Sequence, residues 1–292
     1  MTAPVHRSSG QRAAATLPLA LALAGVGCAR KPPPPPGPLT SELVALAADF
    51  GAEPPAVADA WSDLERIAAR IEARHLRSGA DRADDLAAVL FDELKFEREI
   101  ESDDPRFFVL SSVLADRRGS CLGLGAVALA LAERLAIPLD GVMVPGHFFV
   151  RTRGARPRNV ELLRRGESMP DAWYRAKYGP WPEGDSVYFR PLSVAELVGL
   201  HWFNAGNFLR GKGDLAGAGR AFERAAAAFP AFAEAHASVG TVRQLEGALP
   251  EAEVAYDEAS RARADLPGLK QNRALLKLQL DPHHPLERRT PP

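Results

Sequence analysis

From Cys121 to Leu135 the chain is built almost wholly of Ala, Leu, Gly and Val, with charge only at Glu133 and Arg134. A helix that is apolar on every side has to be buried, so the rest of the fold must wrap around this stretch. Gly119-Ser120 interrupts whatever comes before it, which places Cys121 in the first turn of that helix. The location has chemical weight. Unpaired N–H groups at a helix start favour an anion, so they favour thiolate over thiol and sharpen the sulfur as a nucleophile. Cys121 and Cys28 are the two cysteines of the chain.

A cysteine nucleophile needs a base, and the nearest downstream histidine is His147, in Pro145-Gly146-His147-Phe148-Phe149-Val150-Arg151. Pro145-Gly146 provides the break and the apolar, β-prone residues after it predict a strand that begins at His147. Fourteen positions on, Glu161 closes the short segment Asn159-Val160-Glu161. A carboxylate there has the chemistry to hold the imidazole in the tautomer that pairs with sulfur, the third role in a set of nucleophile, base and orienter. Taken singly, Cys121 reads as a small core side chain, His147 as a structural histidine and Glu161 as a solvated strand charge. Their order and surroundings together carry the catalytic reading.

Cysteine on a helix, then histidine and an acid on successive strands, is the order of the transglutaminase-like superfamily. Arg-Arg-Gly-Ser-Cys-Leu-Gly-Leu at 117–124, Pro-Gly-His-Phe-Phe-Val-Arg at 145–151 and Asn-Val-Glu at 159–161 resemble a small bacterial branch of it, whose members often carry C-terminal tetratricopeptide repeats. The matching region runs from about Asp84 to Leu197. The usual third member is Asp where this chain has Glu161. The resemblance implies a papain-like core, with the Cys121 helix packed on an antiparallel sheet, and a thioester formed between Cys121 and a carboxamide or peptide carbonyl.

Several other function classes are excluded or given no residues. A formal net charge of −1 offers no long-range field for nucleic acid or anionic lipid, and no basic run interleaves with aromatics. Asp103, Asp104 and Asp116 lack the spacing of a metal cage. Neither a metal nor a cofactor site is expected.

Residues 1–28 read as an export signal: His6, Arg7 and Arg12 precede a short apolar stretch from Ala13 to Gly27, too short for a membrane span. Small residues before Cys28 resemble a bacterial lipoprotein processing site, which would make Cys28 the lipidated residue and the lipid the protein's only attachment to a membrane. Gly25 stands where leucine is usual, so ordinary signal cleavage is the rival and a retained anchor a third outcome. Residues 29–40 contain a proline run that favours extended polyproline II and serves as a spacer. The expected location is the bacterial cell envelope.

Residues 41–198 are expected to form the transglutaminase-like domain. Thr40 or Ser41 is expected to cap a helix over Glu42–Phe50, followed by helices over Ala56–Leu76 and Asp81–Phe91, a charged loop from Glu93 to Asp104, and a segment Phe107–Ala115 beside the cysteine helix. The aromatic-rich stretch from Trp173 to Tyr188 reads as a cover over the sheet, or as a surface on which a peptide stacks. Residues 199–281 carry a repeat. Gly206 and Gly240, Ala218 and Ala252, Phe222 and Tyr256, and Ala225 and Ala259 each lie 34 positions apart, the tetratricopeptide period. Leu266–Leu280 adds a capping helix, and residues 282–292 a frayed tail.

The fold expected is therefore α+β, a papain-like core followed by an all-α array. The function expected is that of an exported thiol acyltransferase or hydrolase acting on a protein or peptide, with a possible protein partner on the repeats. The alternative is a non-catalytic envelope scaffold.

Overall fold

The computed structural model describes residues 37–181 and 186–281. The leader, Cys28, most of the proline run and the tail from 282 lie outside the described residues. Three helices come first: α1 (Pro38–Asp49), α2 (Pro54–Ser78) and α3 (Arg82–Ala88). Pro38 sits at the first position of α1, where its missing N–H costs nothing, so the helix starts earlier than a Thr40 or Ser41 cap would have it. Thr40 is instead bound by Glu133, whose carboxylate accepts the N–H of Leu39 at 3.1 Å, the N–H of Thr40 at 2.8 Å and the Thr40 hydroxyl at 2.6 Å. A side chain almost a hundred residues away thus takes over the capping.

The third helix also departs from its expected span. After Ala88 the chain widens into a π-helical turn over Val89–Glu93. The segment expected as a charged loop contains a short strand, β1 (Glu97–Arg98), and α4 (Leu110–Asp116) begins three residues later than expected, after a 3₁₀ turn over Pro105–Phe107. β1 pairs in parallel with β2 (Arg118–Gly119), directly before the buried helix α5 (Cys121–Leu135). This pairing fixes the chain on the approach to Cys121, and no local pattern announces it.

Helix α5 lies at the centre: every residue from Leu122 to Ala132 is buried. Two glycines let it sit so deep. A Cβ on Gly123 would collide with the Phe107 carbonyl, and one on Gly125 would collide with the Phe148 ring. Beneath the helix is an antiparallel meander, β3 (Leu139–Val144), β4 (His147–Thr152), β5 (Asn159–Glu161) and β6 (Glu167–Met169), in that spatial order. Pro145-Gly146 forms the tight β3–β4 turn, with Gly146 at φ 70° and Val144 paired with His147.

Strand alternation sends Phe148 towards α5, while His147, Phe149 and Arg151 face the other side. That face is covered by α6 (Asp171–Tyr178), which accounts for much of the aromatic-rich stretch. Arg151 opposite Asn159 holds the cover in place: Arg151 Nε donates to Asn159 Oδ1 at 2.6 Å, and Asn159 Nδ2 donates to Asp171 Oδ1 at 2.7 Å.

Five further helices complete the described chain: α7 (Val194–Gly211), α8 (Leu215–Ala228), α9 (Ala233–Leu245), α10 (Leu249–Ala262) and α11 (Leu269–Leu280). Each packs on the next, and α7 also rests on the core through Trp202 against Phe50, centroids 5.0 Å apart. A division between 198 and 199 falls inside α7, which opens with a capping box of Ser193 and Glu196. The architecture is mixed α and β, a small antiparallel sheet with a helical C-terminal part. Among the described residues no helix is long and apolar enough to cross a membrane.

Candidate functional site

Cys121 occupies the first position of α5. Ser120 caps that end, its hydroxyl accepting the N–H of Gly123 at 3.3 Å, while its own N–H donates to the Phe107 carbonyl at 2.7 Å. These bonds hold the thiol, half-buried, at a fixed point on the helix terminus.

His147 is the first residue of β4 and Glu161 the last of β5. Val150 pairs with Val160 and Arg151 with Asn159, a register that continues to set Glu161 beside Phe149, one diagonal step from His147. Both side chains are buried, with 3% and 1% exposure, and His147 Nε2 donates to Glu161 Oε2 at 2.7 Å. The imidazole is also within reach of the Cys121 side chain, which interacts with it. The three residues singled out by sequence are therefore brought together in the order thiol, imidazole, carboxylate.

Burial on its own would depress the imidazole. Hydrogen bonds to Cys121 and Glu161, and the negative charge on both, outweigh it and push His147 up to about 9. The arrangement thus holds a proton on the ring between two acceptors. Glu161 is itself held on three sides, accepting from His147, from the Tyr174 hydroxyl at 3.1 Å and from the Leu163 N–H at 3.0 Å. It is a buried, saturated carboxylate rather than a solvated strand charge.

Two residues beyond the expected three belong to the site. Tyr174 and Tyr178 lie four apart on α6 and so share one face, Tyr174 binding Glu161 and Tyr178 lying on the His147 ring. Burial, together with the charge of Glu161, raises the Tyr174 phenol well above its ordinary range; burial and the charges of Glu161 and Cys121 push Tyr178 up to about 12. Both phenols stay protonated and act as donors or packing surfaces. The signal in the sequence is their helical spacing within an aromatic-rich segment, which marks a covering face without naming what it covers. No group of three His, Cys, Asp or Glu side chains among the described residues is poised to hold a metal ion.

The model of the transglutaminase-like superfamily matches residues 58–198, a span that takes in α5, the whole sheet and all three candidate site residues, and it supports a transglutaminase-like domain there. Among individual proteins, the UPF0162 protein of Xylella fastidiosa strain Temecula1 is 38% identical over 117 residues, covering 34% of this chain and 40% of that one. The UPF0162 protein PA3419 of Pseudomonas aeruginosa is 33% identical over 167 residues, 50% of this chain and 62% of its own length. The UPF0162 protein YchA of Escherichia coli K12 is 28% identical over 151 residues, 48% and 54% of the two chains. The chain thus spans between 40% and 62% of the length of these relatives.

Proposed function

We propose that this protein is a thiol enzyme that forms a thioester between Cys121 and a carboxamide or peptide carbonyl. The observation that carries the reading is the buried His147, hydrogen-bonded to Glu161 through Nε2 at 2.7 Å and interacting with the Cys121 side chain. The Cys121 thiolate attacks the carbonyl carbon, a C–S bond forms and the carbonyl oxygen takes the negative charge. The N–H groups of the first turn, which precede the helix's own hydrogen-bond ladder, are the donors available to steady that oxyanion. The intermediate then collapses: the C–N bond breaks, and the leaving nitrogen takes the proton from the His147 imidazolium and departs as ammonia or an amine. Water or a second amine attacks the thioester and gives its proton back to His147, the C–S bond breaks and the thiolate is restored. Glu161 stabilises the imidazolium throughout.

The rest of the reading follows the sequence. Residues 1–28 direct export, and Cys28 is lipidated and tethers the protein to a bacterial membrane. Helices α7 with α8 and α9 with α10 are two tetratricopeptide-like pairs. Support for the pairs comes from Gly206 against Phe222 and Gly240 against Tyr256, two equivalent close approaches 34 residues apart, and from Ala218, Ala225, Ala252 and Ala259, all at 0% exposure.

The test is labelling followed by trapping. Iodoacetamide should modify Cys121 near pH 7 much faster than an unperturbed thiol, and envelope extract quenched in acid should leave an acyl group on Cys121, identified by mass spectrometry. Ordinary reactivity and no adduct would instead leave a non-catalytic scaffold. Cys121→Ala should abolish turnover while costing about 1 kcal/mol of stability.

A further inference from the structure

Cys121 and His147 open onto a cavity of about 470 Å³, and only part of its wall comes from the core. The opposite side is built by Leu200, Phe203, Asn204 and Asn207 of α7 with Phe232 and Glu234 at the start of α9. The four α7 residues fall at i, i+3, i+4 and i+7, a single stripe of the helix turned towards the thiol. The helical array therefore shapes the space in which Cys121 would react.

Phe203 and Phe232 meet edge to face with centroids 4.8 Å apart and make an apolar corner next to Leu200. The polar side chains of this wall are Asn204, Asn207 and Glu234, of which Asn207 accepts from Arg210 at 3.3 Å and offers its Nδ2 as a donor. Asn204 Nδ2 donates to the Leu200 carbonyl at 2.8 Å, and its Oδ1 is left as an acceptor. Glu234 Oε1 receives the Tyr188 hydroxyl and, at 3.4 Å, Arg263, whereas Glu234 Oε2 is buried with no hydrogen-bond partner among the described residues. No Lys or Arg is among the described residues that line the cavity. An anionic ligand would meet the acceptors of this wall, and the cation on the far side, His147, is already held by Glu161 and Cys121. A ligand that brings a bulky apolar group together with N–H donors and carbonyl acceptors suits this wall, and a peptide supplies all three.

We propose that the α7–α9 wall selects the substrate: it takes a peptide with a large apolar side chain beside the reacting carbonyl, that side chain against Phe203 and Phe232 and a peptide N–H donating to Asn204. The proposal rests on Cys121 as nucleophile for its orientation, and it makes the helical array a wall of the site rather than a separate module.

Binding to full-length Cys121→Ala protein tests the wall without depending on reactivity. By NMR titration, acetyl-Gly-Phe-Gly-amide should bind at least about tenfold more tightly than acetyl-Gly-Asp-Gly-amide. Adding Phe203→Ala should bring the two within about twofold, and Phe203→Leu, a milder change for a protein that fails to fold with alanine, should narrow the gap by about half. Asn204→Leu should weaken the Phe peptide several-fold. Equal affinity for the two peptides, or a preference that survives the Phe203 change in a folded protein, overturns the proposal. Iodoacetamide labelling of wild type in parallel separates the two readings: slow labelling with the peptide preference intact removes the nucleophile and leaves the wall standing, while rapid labelling without preference removes the wall alone.

Discussion

The Tyr178 ring lies flat on the His147 imidazole, centroids 4.5 Å apart and planes 6° from parallel. Together with Glu161 and Cys121, this confines the imidazole. A ring held in one plane keeps a fixed orientation to its two partners, and the stack is the part of that restraint that involves no hydrogen bond.

Tyr178→Phe should leave the rate of Cys121 alkylation at pH 7 within about twofold of wild type, because the ring and not its hydroxyl does the confining. Tyr178→Ala should slow it about fivefold, the equivalent of an aromatic pair worth about 1 kcal/mol. Equal rates in all three proteins would show that the hydrogen bonds alone orient the base.

The raised pKa of His147 sets a pH dependence with a definite sign. The folded state binds the proton more tightly than the unfolded state, whose imidazole titrates near 6.5. The resulting stabilisation is complete below about 6.5 and is lost as pH rises towards 9. Urea midpoints measured across that window should fall in wild type more steeply than in His147→Gln, and turnover should decline above about 9 as the general acid disappears. A flat difference between the two proteins would contradict the shift.

Glu161→Gln should keep the domain folded and slow turnover by about two to four orders of magnitude, since an amide orients an imidazole without stabilising its charge. Tyr174→Phe, which leaves the carboxylate with two of its three donors, should cost about 1 kcal/mol in thermal unfolding and far less in rate. Unchanged kinetics in Glu161→Gln would move the orienting role elsewhere. Asp140 and Glu167 are poorly placed to take it, because they pair with Arg153 at 3.0 Å and Arg164 at 2.6 Å.

Gly123→Ala should be among the most damaging single-methyl changes in the chain, because its Cβ meets the Phe107 backbone carbonyl, which has no rotamer to escape into. A loss of about 3 kcal/mol or more in chemical denaturation is expected. Gly219→Ala is the control: its Cβ approaches a Val242 methyl at 3.3 Å, a contact relieved by a movement of a few tenths of an ångström. Similar midpoints for the two variants would mean that α5 moves easily, against the deep packing described above.

Cys28→Ser should release the protein from the membrane fraction while leaving activity on soluble substrates intact, since a stable anchor of this kind depends on the acyl chains. Fractionation and immunoblotting read the outcome. A variant that stays on the membrane would point to an uncleaved apolar anchor, and a soluble wild type to plain cleavage.

What the sequence determined by itself is what acts over a few residues. Gly119-Ser120 ahead of an apolar run is enough to start a helix at Cys121, Pro145-Gly146 ahead of Phe148-Phe149-Val150 is enough to start a strand at His147, and a 34-residue spacing of Gly, Ala and aromatics marks the helices that follow. Those signals are capping, backbone preference and periodicity, all written in neighbouring side chains. Tertiary structure alone decided the rest. Glu161 reads locally as a surface charge, and only the β4–β5 register and the cover of α6 make it a buried carboxylate with three donors. Thr40 reads as a cap until Glu133 takes it. The repeat spacing says nothing of the stripe from Leu200 to Asn207, and only the seating of α7 across from Cys121 makes it the wall of a cavity. In each case the deciding energy is burial or a hydrogen bond between groups far apart in the chain, which no local pattern encodes.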